Sequence, residues 1–402
     1  MRLVLRLLLP FALLVSAQLA AQEAVRVPPE VLATIVDDET HPLPRSMTPA
    51  ERLLPLPRPD LRSPLAPPTG TVRTPAEYER NDGLLIRWGA HNDLLTALTV
   101  GITTGDTGAV VHILVASSSQ QSSAAATLTA AGAVMERVNF ILYAANSVWI
   151  RDYGPRFIWQ DDGRAIVDHT YNRDRPLDNA FPDHLAGLWG EPQYDIPLTH
   201  GGGNFHLFAH GDAYMTDLVL AENPALSAAD VAQLFQSYQG LDLSITAALP
   251  SWYDSTQHID MWLLPTADDA VILGQYSPSD SAAHALTEAI ATDLQSHCYT
   301  VRRTPGWQSG GTHYTYTNSV IFNDLVFVCQ FNNRPIENAA ALATFEASFP
   351  GSDIIPVNCS SIIAAAGALH CIVMHVPAGP AVFRDGFESG DTGAWAEAVG
   401  AS

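Results

Sequence analysis

Three short segments carry residue types that can do chemistry. Trp149-Ile150-Arg151-Asp152-Tyr153-Gly154-Pro155 follows an apolar run and ends in a turn, where side chains can face a cleft. His258-Ile259-Asp260-Met261-Trp262, read as a strand, puts His258 and Asp260 on one face because strand side chains alternate. A histidine beside a carboxylate can serve as acid/base and electrostatic partner. The same spacing suits two metal ligands, or a core histidine satisfied by its neighbour. Gly367-Ala368-Leu369-His370-Cys371-Ile372-Val373 sets Cys371 in an apolar strand. Such a thiol is a nucleophile if it is accessible and acidified, and inert packing otherwise.

Two further segments suggest binding. Gly201-Gly202-Gly203-Asn204 is a loop in which the backbone can approach a ligand closely. No phosphate-loop Lys-Ser/Thr follows it, which argues against a nucleotide. Tyr171-Asn172-Arg173-Asp174-Arg175-Pro176 carries Arg173 and Arg175 two apart. On an extended segment they share a face and can fork onto a carboxylate, or they are simply solvated charge.

The elements that must position these residues alternate between strand and helix. Strand patterns cover Gly83–Trp88, Ala109–Ala116, Val138–Leu142, Ala165–Tyr171, Ala213–Ala221, Ala270–Tyr276, Ser319–Gln330 and Ala368–His375. Helical patterns cover Asp93–Val100, Ser122–Ala131, Ala228–Tyr238, Ser281–Gln295 and Ala339–Phe349. The class is α/β, with several units of two strands and one helix.

Around this domain, placed at residues 72–382, lie three segments of different character. Residues 1–21 read as a signal peptide: Arg2 and Arg6, an apolar run from Leu7 to Val15, then small residues up to a cleavage point after Ala20 or Ala21. That run is too short to span a membrane. The expected destination is therefore the periplasm or the exterior. Residues 22–71 are proline-rich (Pro42, Pro44, Pro49, Pro55, Pro57 and Pro59 among others) and read as a leader that wraps the domain or is partly disordered. Residues 383–402 read as an acidic, small-residue tail, either a sorting signal or a disordered terminus.

The net charge of −22 argues against a nucleic-acid partner, which needs a basic footprint. No later stretch is long and apolar enough for an integral membrane segment. Four cysteines are present: Cys298, Cys329, Cys359 and Cys371. Their spacing does not suit a structural zinc site. If Cys371 is catalytic, at most one bridge forms among the other three.

In order, WIRDYGP, YNRDRP, GGGN, HIDMW, YTNS and ALHC, preceded by Pro75-Ala76-Glu77-Tyr78-Glu79, resemble the bacterial-type peptidyl-arginine deiminase and agmatine deiminase family over Val72 to Val376. The resemblance implies a pentein-type α/β propeller, with fivefold pseudosymmetry of ββαβ units around a channel. It makes Cys371 the nucleophile, His258 the general acid/base, and Asp152 and Asp260 the carboxylates that grip a guanidinium. It places Asn318 and Trp149 along the site, and gives Arg173 and Arg175 the carboxylate of a C-terminal arginine. No metal or other cofactor is required. The implied reaction converts arginine, as a peptide's C-terminal residue or free, to citrulline and ammonia through a covalent thiouronium. The alternatives are an agmatine deiminase yielding N-carbamoylputrescine, and a non-catalytic secreted protein that binds guanidinium groups or peptides.

Overall fold

Most of the apolar runs read as strands form them, and among the described residues the strands group into five small sheets. The computed structural model describes residue 37, residues 40–59 and residues 66–379. The expected signal peptide and C-terminal tail lie outside the described residues.

One pattern recurs in all five sheets: an antiparallel pair of strands, a helix, and a third strand parallel to the second. Arg156–Gln160 pairs antiparallel with Gly163–Tyr171, which pairs parallel with Gln193–His200 after the helix Phe181–Trp189. His206–Leu207, Asp212–Thr216, the helix Ala228–Gln239 and Asp242–Thr246 form the next unit. Leu263–Ala267, Ala270–Gln275, the helix Ser281–Ser296 and Thr300–Ser309 form the third. Val320–Phe322, Leu325–Gln330, the helix Pro335–Ser348 and Asp353–Asn358 form the fourth. The fifth joins the two ends of the domain. Met374–Pro377 pairs antiparallel with Asn81–Arg87, which pairs parallel with Val110–Val115 across the helix Asn92–Thr104. A last strand therefore completes a unit begun near residue 81, and this closes the ring.

The middle strands of three sheets are buried on both faces, so they carry continuous apolar runs rather than alternation. Leu84–Ile86, Val271–Leu273 and Val326–Val328 are buried in this way. Helix ends follow ordinary capping rules. Ser227 and Asp230 form a reciprocal capping box, and Gly240 ends the same helix in the left-handed region.

Three expected strands differ from the structure. Ala213–Ala221 divides into the strand Asp212–Thr216 and the short helix Leu218–Glu222. Ser319–Gln330 turns back on itself at Asn323, which has a φ of 54° and so makes a hairpin of one apolar run. Within Ala368–His375, His370–Ile372 is a tight 3₁₀ turn, and the strand begins only at Met374. The described part of the leader lies against the domain. It has one regular element, a 3₁₀ turn at Glu51–Leu53.

Cys329 and Cys359 are joined by a disulfide that ties the strand Leu325–Gln330 to the end of its parallel neighbour. Cys371 is a buried free thiol, and Cys298 an exposed one. No helix among the described residues is long and apolar enough to cross a membrane.

Candidate active site

The motif segments occupy equivalent places in the five units. Each lies just before the first strand of a unit: WIRD before Arg156, GGGN before His206, HIDMW before Leu263, YTNS before Val320 and ALHC before Met374. Fivefold repetition therefore carries all five to the ring's centre, although they are far apart in sequence. Four of them contain a helical turn: Ile150–Tyr153, Gly202–Asn204, Ile259–Met261 and His370–Ile372. Such a turn points consecutive side chains around an axis and lets a short segment present several groups to one point.

This geometry corrects the strand reading of His258 and Asp260. They share no strand face, since Asp260 lies in the 3₁₀ turn and His258 caps it. Both still reach the centre. So do Asp152, Asn318 and Cys371, and all five are buried.

The centre is occupied by a residue the sequence reading did not single out. Arg45, from the proline-rich leader, is 0% exposed. Its Nε donates to Asp152 Oδ2 at 2.8 Å, and its Nη2 to Asp152 Oδ1 at 2.9 Å. Its Nη1 donates to Asp260 Oδ1 at 3.0 Å, and its Nη2 to Asp260 Oδ2 at 2.9 Å. Two carboxylates thus clasp one planar guanidinium from two edges, the strongest geometry open to this pair of groups. Nη2 also lies 2.8 Å from His258 Nδ1. The same ring nitrogen lies 3.4 Å from Asp152 Oδ1.

Electrostatics follow from this packing. Burial alone would raise the pKa of Asp152, but the Arg45 and His258 charges outweigh it and hold the carboxyl well below its usual range. Asp260 is lowered for the same reason, with burial opposed by Arg45 and by His370. Burial and then Arg45 push His258 down, against the pull of Asp152. Burial pushes the Cys371 thiol up; the Arg45 guanidinium counteracts this, while Asp260 and Asp152 add to it. A cation between the carboxylates is therefore the group that eases thiolate formation.

Around this core the remaining residues have specific tasks. Cys371 Sγ donates to Asn318 Oδ1 at 3.2 Å, and the Ala368 N–H donates to the same oxygen at 3.0 Å. Asn318 so fixes the thiol and its loop together. Gly203 leaves the space that Arg45 uses, because a Cβ there would collide with the guanidinium and lie 2.8 Å from Asp152 Oδ1. The Gly203 N–H meanwhile donates to that carboxylate at 3.0 Å. Asp260 is braced from behind by His370 Nδ1 at 2.9 Å, and His370 Nε2 lies 2.9 Å from Glu77 Oε2. Arg151 Nη1 donates to Glu77 Oε1 at 2.6 Å. The role of Glu77 was invisible in sequence, since it is joined to its partners only by the closure of the ring.

Trp149, Arg173 and Arg175 all meet the leader's backbone. Trp149 Nε1 donates to the Leu43 carbonyl at 2.9 Å, Arg175 Nη2 to the Pro44 carbonyl at 2.8 Å, and Arg173 Nε to the Arg45 carbonyl at 3.2 Å. The two arginines are buried rather than solvated. They do not converge on one carboxylate. The fork of Arg175 is taken by Glu51, with Nε to Oε1 at 2.7 Å and Nη2 to Oε2 at 3.2 Å. The local backbone turns between them, with the Arg175 N–H donating to the Arg173 carbonyl.

A closed ring of five ββαβ units, with an acidic, guanidinium-clasping centre beside a thiol, is an α/β propeller of the pentein class. An agmatine deiminase of Enterococcus faecalis shares this fold with a TM-score of 0.66 at 18% identity, over 76% of this chain and 96% of that one. A proposed arginine deiminase from Porphyromonas gingivalis superposes with a TM-score of 0.65 at 17% identity, over 77% of this chain and 99% of that one. In sequence, a proposed agmatine deiminase from Marinomonas sp. (strain MWYL1) is 23% identical over 291 residues, which cover 61% of this chain and 78% of the relative. Residues 73–377 match the Porphyromonas-type peptidyl-arginine deiminase family, and the chain belongs to it. It is accordingly a hydrolase of the C–N bonds of linear amidines.

Proposed function

We propose that this enzyme deiminates arginine presented on a peptide, with Cys371 as nucleophile. The observation that carries this reading is the way Arg45 is held. Its guanidinium sits between Asp152 and Asp260, while Trp149, Arg175 and Arg173 bind three successive backbone carbonyls leading up to and including its own. Arg45 stands in for a substrate arginine, and the carbonyl on Arg173 for one oxygen of a C-terminal carboxylate. Agmatine has no backbone, so these three donors would go unused on it, and unpaired buried donors weigh against such a ligand.

The chemistry runs as follows. The Cys371 thiol passes its proton to His258, eased by the bound cation, and its sulfur bonds to the central guanidinium carbon. The nitrogen equivalent to Arg45 Nη2 faces His258 Nδ1. It leaves as ammonia when the imidazole, having taken up a proton, delivers it as the C–N bond breaks. His258 then removes a proton from water as its oxygen bonds to the carbon. The C–S bond breaks and the thiol is restored. Overall, oxygen from water replaces one terminal nitrogen, and arginine becomes citrulline. Asp152 and Asp260 orient the carbon and keep the charged form bound.

We also read the chain as exported. A positive, apolar, then small N-terminal run and the Cys329–Cys359 disulfide support that reading, because disulfides persist in oxidising compartments.

Peptides ending in arginine, free arginine and agmatine, assayed side by side for ureido product, test the reading. The expected order places the peptide first, with no product from Cys371→Ala. Preference for agmatine, unchanged in Arg173→Ala, would assign the chain to the agmatine branch. Turnover by Cys371→Ala would remove the mechanism. Tight arginine-peptide binding without product in the wild type would favour a binding protein.

A further inference from the structure

We propose that the leader is a built-in competitive inhibitor, a strap that fills the guanidinium site with Arg45 and keeps the enzyme latent until it is displaced. This rests on the functional reading above only in naming which substrate is excluded.

Three observations carry it. First, the occupancy is complete. Every nitrogen of the Arg45 guanidinium is bonded to Asp152, Asp260 or His258, and neither carboxylate could accept a second guanidinium in the same plane. Second, the strap supplies both charges of an arginine. Arg45 answers the aspartate pair, and Glu51, six residues on, answers Arg175 with a two-point ion pair in which both side chains are buried. Burial would raise the Glu51 pKa, but Arg175 outweighs it and keeps the carboxylate charged. A neutral connecting segment would satisfy neither set, and leaving either one buried and unpaired would be costly. Third, the strap is built to hold this pose. Asp37 accepts from the Leu43 N–H and, at 2.7 Å, from the Val148 N–H. The Arg45 N–H donates to the Ala365 carbonyl at 2.8 Å. Thr48 and Glu51 cap each other, with the Thr48 N–H on Glu51 Oε2 at 2.7 Å and the Glu51 N–H on Thr48 Oγ1 at 3.1 Å.

Burial disfavours hydrolysis of Arg45 itself. Arg45 and Cys371 are each 0% exposed, and the hydrolytic half of the reaction needs water at that carbon. A tethered ligand has a high effective concentration and lowers the apparent affinity of a free substrate by the fraction of time the site is open. Two outward points make the strap releasable: Leu53 is 86% exposed, and Pro55 is exposed as well. Cutting there would leave Arg45 and Glu51 on a piece held by non-covalent contacts alone.

The test uses the full-length wild type, Arg45→Ala and Arg45→Ala/Glu51→Gln. Alkylation of Cys371 by chloroacetamidine, a small amidinium, reports site access whether or not any substrate is turned over. Arg45→Ala should label about tenfold faster or more, and the double variant at least as fast. KM for an arginine-terminated peptide should fall with kcat unchanged. Should Arg45→Ala melt too low to assay, the same labelling is run on the full chain carrying a specific protease site at Leu53, before and after cutting. Equal labelling of all forms would overturn the proposal. So would citrulline at position 45 in the purified wild type, because the strap would then be a substrate. Faster labelling without product from any arginine or agmatine compound would sink the functional reading and leave the strap standing.

Discussion

The strap and the five inward segments meet on one guanidinium, but they are held in opposite ways. Each inward segment runs straight into a strand of a closed ring, so its backbone is fixed on at least one side by a ladder of hydrogen bonds. The described leader residues up to 59 contain only the turn Glu51–Leu53 and join no strand ladder; they are held chiefly by side chains, with Arg45 on two aspartates, Glu51 on Arg175, and Asp37 on the Val148 N–H. The contrast teaches that half of this buried centre is preorganised by backbone and the other half by charge. The charged half can be exchanged for another molecule carrying the same charges; the backbone half cannot.

Breaking the fixed half should cost most. Asp152→Asn removes a charge from both the strap and any guanidinium substrate. A fall in kcat/KM of about a thousandfold, roughly 4 kcal/mol, is expected in steady-state assays. A loss of less than about fivefold would mean that Asp152 serves the strap alone. Next in size is the covalent tie in the ring. The Cys329–Cys359 bridge spans 30 residues, which corresponds to about 3.5 kcal/mol of unfolded-state entropy. Cys329→Ser/Cys359→Ser should lower stability to denaturant by that order while leaving chloroacetamidine labelling of Cys371 unchanged. An increase in labelling would show that the ring itself gates the site.

Glu222 sits where the two halves join. Its carboxylate accepts from Asn172, and its carbonyl accepts from Arg58 of the leader. Burial, opposed by Arg173, pushes its carboxyl up to about 7 from 4.5. The unfolded chain loses this proton near 4.5 and the folded chain only near 7, so the folded state binds more protons between them. Stability therefore falls as pH rises through that window, by about 3 kcal/mol at most. Glu222→Gln should flatten the fall in melting temperature between pH 4.5 and 7. An unchanged slope would place the titration elsewhere. The smallest effect is expected from Trp149→Phe. It removes one hydrogen bond to the Leu43 carbonyl, worth about 1 kcal/mol. Labelling of Cys371 should rise severalfold, and an unchanged rate would exclude Trp149 from holding the strap.

Much of the ring was legible in the sequence. Leu84–Ile86, Val271–Leu273 and Val326–Val328 are apolar because both faces of these strands are covered, and such runs can be read locally. The helices were legible within a few residues, as at Ala228–Gln239, where Ser227 and Gly240 mark both ends. The site's chemical types were legible too, from the ordered motifs around Asp152, His258, Asp260 and Cys371. Their geometry was not. His258 and Asp260 read as one strand face, yet a 3₁₀ turn sets their directions, and a three-residue turn has no period to detect.

What the sequence determined by itself is therefore local: apolar runs that become strands, caps that end helices, and acid, base and thiol types in a fixed order. The tertiary structure alone decided what meets at the centre. Ring closure joins Glu77 to His370 across the domain, and folding back of the leader brings Arg45 to Asp152 and Asp260. No spacing along the chain encodes those contacts. They arise because two buried carboxylates require a cation, and this fold brings one from the leader.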